Sequence, residues 1–138
     1  MTVQGGLLRM DTPGNGHIVD ITDGVARVVR TAEVERGLVT AFAVGSTVAI
    51  TTMEHEPGGV HDLQALLDRL IPSGEPYEHN RRGHDTNAHA HLRAALIGPS
   101  ETVPIIDGRL GLGTWQQLVM LDFDDRPRTR TVTVQVVS

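Results

Sequence analysis

Thr129-Arg130-Thr131-Val132-Thr133-Val134-Gln135-Val136-Val137 decides the fold class. Val132, Val134 and Val136 alternate with Thr131, Thr133 and Gln135, the period-two signature of a strand with one buried and one polar face. Gln117 to Phe123 reads as a second strand, expected to pair with this one across an Asp/Arg/Pro turn. Just upstream, Thr102-Val103-Pro104-Ile105-Ile106 meets Arg109-Leu110-Gly111-Leu112 across Asp107-Gly108. Asp-Gly between apolar runs is a strong two-residue hairpin signal.

Further upstream, Gly37 to Thr52 is β-branched and apolar, with a bend at Gly45-Ser46, and is expected to be buried sheet. His17 to Arg30 reads as a hairpin turning at Asp23-Gly24. Residues 1–16, ending in Asp11-Thr12-Pro13-Gly14-Asn15-Gly16, are rich in turn formers and are expected to be a loose or edge segment. Two helices fall in the middle of the chain. Val60, Leu63, Leu66, Leu67, Leu70 and Ile71 follow helical spacing up to Pro72. Asn87 to Ile97 forms the second helix, ended by Gly98 and Pro99, with an expected buried stripe of Ala88, His91, Leu92, Ala95 and Leu96. Ser73 to Asp85 between them is polar and reads as a surface loop carrying Tyr77, His79 and His84. Strands at both ends with two short helices between them predict an α+β fold, a mostly antiparallel, sandwich-like core in one domain over 17–138.

The chain has 138 residues, the size of one domain. Hydrophobic residues make up 39% but aromatics only 3%, so Val, Leu, Ile and Ala must build the core, and a stacking platform for single-stranded nucleic acid lacks rings. Twelve Lys+Arg against 17 Asp+Glu, all twelve being Arg, give a net charge of −5, which argues against a duplex-binding cationic face. With no cysteine there is no disulfide framework, thiolate metal site or cysteine nucleophile. No apolar run approaches the length of a membrane span and the N-terminus lacks a basic patch before an apolar stretch, so a soluble cytoplasmic protein is expected.

Seven histidines are the unusual feature, four of them between 79 and 91. On the second helix Asn87 and His91 share a face while His89 points away, so His89 reads as a solvated residue. Two readings stay open for His91: a core histidine bonded to backbone, or a site residue. The spacing of His79, His84, His89 and His91 matches no zinc template. His17, His61 and His84 read as surface residues. Glu54 follows an apolar strand end and precedes Pro57-Gly58-Gly59, a usual place for a site residue, and Asp62 sits where a carboxylate favours a helix N-terminus. Arg126, Arg128 and Arg130 share the even register of the last strand. Arg126 is expected to pair with Asp124 or Asp125 in the turn, while Arg128 and Arg130 suit a phosphate or carboxylate at the mouth of the buried face. Trp115 is expected to anchor the core, with pocket lining compatible.

Gly108-Arg109-Leu110-Gly111-Leu112-Gly113-Thr114-Trp115-Gln116, with Asn87-Ala88-His89-Ala90-His91-Leu92 and the closing Asp122-Phe123-Asp124 to Arg128-Thr129-Arg130, resembles the YjbQ-like family over roughly residues 17 to 137. The resemblance implies a compact β-sandwich with helices on one side, a homotrimer and a polar site near the subunit interfaces. It implies thiamine-phosphate-synthase-type chemistry on a small phosphorylated molecule, with a divalent metal, Mg²⁺ or Zn²⁺, as the implied cofactor. By that pattern, Glu54, Asn87, His79 and His91 are catalytic, Arg128, Arg130, Trp115 and Gln116 bind substrate, and His79, His91 and Asp62 could hold a metal. Two departures stand out: the family's His-Thr-Thr-Ala reads Gly45-Ser46-Thr47-Val48, and its Asp-Gly-Pro-Arg turn reads Asp124-Asp125-Arg126-Pro127-Arg128. The first removes one of three implied histidine ligands. A non-catalytic trimeric protein binding a metabolite or metal is the other reading the sequence carries.

Overall fold

A computed structural model describes all 138 residues. Two antiparallel sheets and four helices make an α+β fold. The larger sheet has the order β1 (Val3–Thr12), β8 (Arg128–Val137), β3 (Arg36–Ala43), β5 (Ser100–Ile106), β6 (Arg109–Leu110). The smaller has β7 (Gln117–Asp122) between β2 (His17–Asp20) and β4 (Val48–Met53). One apolar cluster lies between the larger sheet and α1 (Thr22–Ala32), where Val132, Val134 and Val136 of β8 meet Val25 and Val29. A smaller cluster, including Leu67, Ala90, Ala94 and Phe123, lies under α2 (Pro57–Leu70) and α4 (Ala88–Ile97). Burial of each such large side chain contributes about 1.5–3 kcal/mol, which is why few aromatics suffice.

Five expectations are corrected. The N-terminal stretch is not loose: β1 pairs with β8 along its whole length, from Val3 opposite Val137 to Thr12 opposite Arg128. Its turn formers, Pro13 to Gly16, lie after the strand rather than in place of it. The hairpin at Asp23-Gly24 is the first turn of α1, because Val25, Val29 and Ala32 recur at helical spacing and bury one face. Gly24 serves close packing there, since a Cβ on it would stand 2.9 Å from Leu8 Cδ1. Strands β7 and β8 do not pair with each other. Leu118 to Asp122 are buried on both faces at the centre of the smaller sheet, whereas β8 alternates, and the turn between them crosses from one sheet to the other. The loop over 73–85 contains a short helix, α3 (Glu78–Gly83), closed by His84 in the left-handed conformation.

The fifth correction concerns the face of α4. Ala88, His89, Ala90, Arg93 and Ala94 are buried, while Leu92 and Leu96 are exposed. Small side chains let the helix axis approach β4 closely, so the alanine face, not the leucine face, turns inward. His89, expected in solvent, is therefore interior, and His91 lies half-buried at the helix edge.

Candidate functional site

Where α3 meets α4, Asn80 joins the two. Its backbone carbonyl accepts the Asp85 N–H at 3.1 Å and its side-chain Oδ1 accepts the Ala88 N–H at 3.0 Å. The same Oδ1 lies 3.1 Å from His79 Nδ1. Because the Ala88 N–H can only donate, this atom is the amide oxygen, and the His79 nitrogen facing it must carry the proton. His79 thus carries a proton on Nδ1, and its Nε2 makes no hydrogen bond within the chain. Its ring stands 4.7 Å from that of His91, tilted by 48°. Tyr77, Glu78, Ala88 and Leu92 complete the walls of a pocket of about 400 Å³ around the two imidazoles. Tyr77 is fixed by its own hydroxyl, which donates to the Pro72 carbonyl at 2.7 Å.

The other residues marked by the sequence stand apart from this pair. Asn87 is the N-cap of α4 and is buried, and its Oδ1 has no hydrogen-bond partner in the chain. His89 is buried with Nδ1 likewise unpartnered. Burial, then the nearby Arg93 guanidinium, pushes the His89 imidazole below its ordinary range, outweighing Asp125, Asp124 and Asp68. Arg93 is itself buried, donating Nε and Nη2 to the Ile71 carbonyl and Nη2 to Asp68, so it caps the end of α2. Glu54 and Asp62 are exposed and line no wall of the imidazole pocket, and Asp62 stands beside His61. Trp115 is 74% exposed, not a core anchor. Gln116 holds its own loop, accepting the Gly113 N–H and donating to Thr52 Oγ1.

Arg130 is turned inward, as the strand register required, but it meets carboxylates. Nε and Nη2 form a two-point pair with Asp122 at 2.7 and 2.9 Å, and Nη2 also donates to Thr47 Oγ1 at 2.7 Å. Asp122 is fully buried and accepts from the Thr12 hydroxyl. Arg128 donates Nε to Asp124 Oδ2 at 3.1 Å, with its outer edge in solvent. Arg126 pairs with Asp125 in the turn. Burial alone would raise the Asp124 carboxyl, yet the Asp125 N–H, the Arg128 charge and the Thr47 hydroxyl together hold it below the ordinary carboxylate value. Gly45 adjoins this cluster: a Cβ there would lie 3.2 Å from Arg130 Nη1.

Sequence reasoning missed Asn80 and Asp122, and set Asp124 beside Arg126 rather than Arg128. The carboxylates two apart in Asp122-Phe123-Asp124, close before arginines two apart, were the available signal. As for a metal, His79 and His91 could supply two ligands, but no group of three or more His, Asp or Glu in this chain is placed to hold a metal ion. Two imidazoles fall short of a tetrahedral set.

The family model described as UPF0047 protein YjbQ-like matches residues 7–138. The chain belongs to the YjbQ-like UPF0047 family. A UPF0047 protein of Archaeoglobus fulgidus is 41% identical over 130 residues, 94% of this chain and 98% of that one. One of Mycobacterium tuberculosis is 37% identical over 134 residues, 95% of this chain and 96% of its own. Among solved structures, a hypothetical protein of Aeropyrum pernix superposes with a TM-score of 0.91 at 32% identity, covering 98% of each chain. A YbjQ-like protein of unknown function from Sulfolobus solfataricus gives 0.88 at 29%, again over 98% of each. The match to the UPF0047 family takes in β1 from Leu7 onward, so this edge strand is part of the shared fold.

Proposed function

We propose that the His79–His91 pocket is the working site, that it takes a small phosphorylated molecule, and that the imidazole pair handles a proton there. The observation that carries this reading is the pairing itself: two imidazole rings 4.7 Å apart at one pocket, one of them held by Asn80 through Nδ1 with Nε2 left without a partner in the chain. Apolar walls from Ala88 and Leu92 suit the body of a heteroaromatic ligand. In the finer form implied by the resemblance, a thiazole nitrogen forms a bond to the methylene carbon of a pyrimidine diphosphate. The carbon–oxygen bond to pyrophosphate breaks, and the leaving group departs with the electron pair and takes up a proton from the imidazole pair. Among the two arginines, Arg128 is the one with a solvent-facing edge able to meet a phosphate. A homotrimer is part of the same reading, supported by Leu7, Leu38, Phe42 and Ile106, apolar side chains exposed on the strands of the larger sheet.

A second reading, a trimeric protein that binds the ligand without turning it over, is favoured by the arginine pairs with Asp122 and Asp124 and by glycine at position 45. Thiamine phosphate formation by the purified protein, compared with His91→Ala, separates the two. Product from the wild type and a loss of at least about 100-fold in the variant support the transferase form. No product from either form, with ligand bound at the pocket, supports the second.

A further inference from the structure

On the other side of the molecule from α3 and α4 stands a cavity of about 440 Å³ between α1 and the hairpin of β5 and β6. Ala26, Val29 and Arg30 face it from α1 at helical spacing. Arg109, Leu112 and Thr114 form the opposite wall. Thus the stretch Gly108 to Gln116, which no element of the imidazole pocket uses, has a cavity of its own.

The two arginines are the only charged groups on this lining. Six of the twelve arginines, at 81, 82, 93, 126, 128 and 130, are engaged in ion pairs. Of the unpaired ones, only Arg30 and Arg109 converge on this cavity. Both arginines also border an adjoining recess that holds Glu33, Glu35 and Asp107, but neither forms an ion pair with any of the three. A hollow whose own lining carries two guanidiniums without ion-pair partners and no carboxylate favours an anion, and a guanidinium fork matches phosphate oxygens geometrically. Val29 and Leu112 provide an apolar bed beside that charge.

We infer that this cavity binds a phosphomonoester attached to a ring or other apolar group, held by Arg30 and Arg109. It is independent of the His79–His91 pocket. The test uses phenyl phosphate as the probe at low ionic strength, read by the fluorescence of Trp115 and by the amide resonances of Gly108 to Gln116. The expected result is saturable binding that weakens at least about tenfold in Arg30→Gln and in Arg109→Gln. Binding should persist in Arg69→Gln, a control at another unpaired arginine, and in His91→Ala. Absence of a saturable response in the wild type, or equal affinity in the Arg30→Gln/Arg109→Gln double variant with its fold retained by circular dichroism, would overturn the proposal. Binding lost in His91→Ala but kept in the double variant would move the ligand to the imidazole pocket and also overturn it.

Discussion

The side-chain oxygen of Asn80 accepts the backbone N–H of Ala88 at 3.0 Å, and this one bond ties a helix junction and sets which atom of Asn80 faces the His79 ring. The first turn of α4 has no side-chain cap of its own from Asn87, so Asn80 satisfies one of its free N–H groups from eight residues upstream. With its second lone pair the same oxygen faces His79 Nδ1.

Asn80→Ala should therefore do two things at once. It should cost about 1 kcal/mol of stability through the lost hydrogen bonds, seen in chemical denaturation. It should also release the His79 ring to both tautomers, seen in the imidazole nitrogen shifts. A variant in which His79 stayed wholly in the Nδ1–H form would contradict the assigned role of Asn80.

Much of the scaffold was legible before any coordinates. The alternation of β8 and the Asp107-Gly108 turn need only local rules, because each is set by residues within a few positions of one another. What stayed hidden depends on distant partners. Asp23-Gly24 carries a turn signal, and only the approach of Leu8 shows that the glycine is there for space in a helix. On α4 the larger side chains suggested an inward leucine face, but the close contact with β4 favours alanine. The candidate residues His79 and His91 could be named singly, while their proximity depends on α3 folding back on α4 through Asn80. The inward direction of Arg130 followed from strand parity, but its carboxylate partner sits in another sheet and could not be read from parity.

The Arg130–Asp122 pair should be a major point of mutational weakness. Arg130→Met leaves Asp122 buried beside Asp124 without its main counter-charge and should cost about 3–5 kcal/mol by urea denaturation. A loss below about 1 kcal/mol would mean that Asp122 finds another partner or takes up a proton at little cost.

Acid should weaken the fold in two separable steps. The folded-state value of His89 lies below its unfolded value of 6.5, so the unfolded chain takes up the proton first. Its contribution is complete above pH 6.5 and is lost as pH falls from there toward the folded-state value. Asp124, depressed below 3.8, contributes stability that is present above that value and is lost as pH falls through its folded-state value. His89→Gln should flatten the first step and leave the second. Unfolding free energy measured across pH checks this, and an unchanged slope below pH 6.5 in His89→Gln would remove His89 as its source.

The claim that the His79–His91 pocket is the working site is tested most directly by following the seven histidine side-chain resonances while a thiazole phosphate is added to the wild-type protein. Saturable movement of the His79 and His91 signals, with His17 and His61 unmoved and the response abolished in His91→Ala, is the expected result. Saturable binding that leaves both the His79 and His91 signals in place would contradict it.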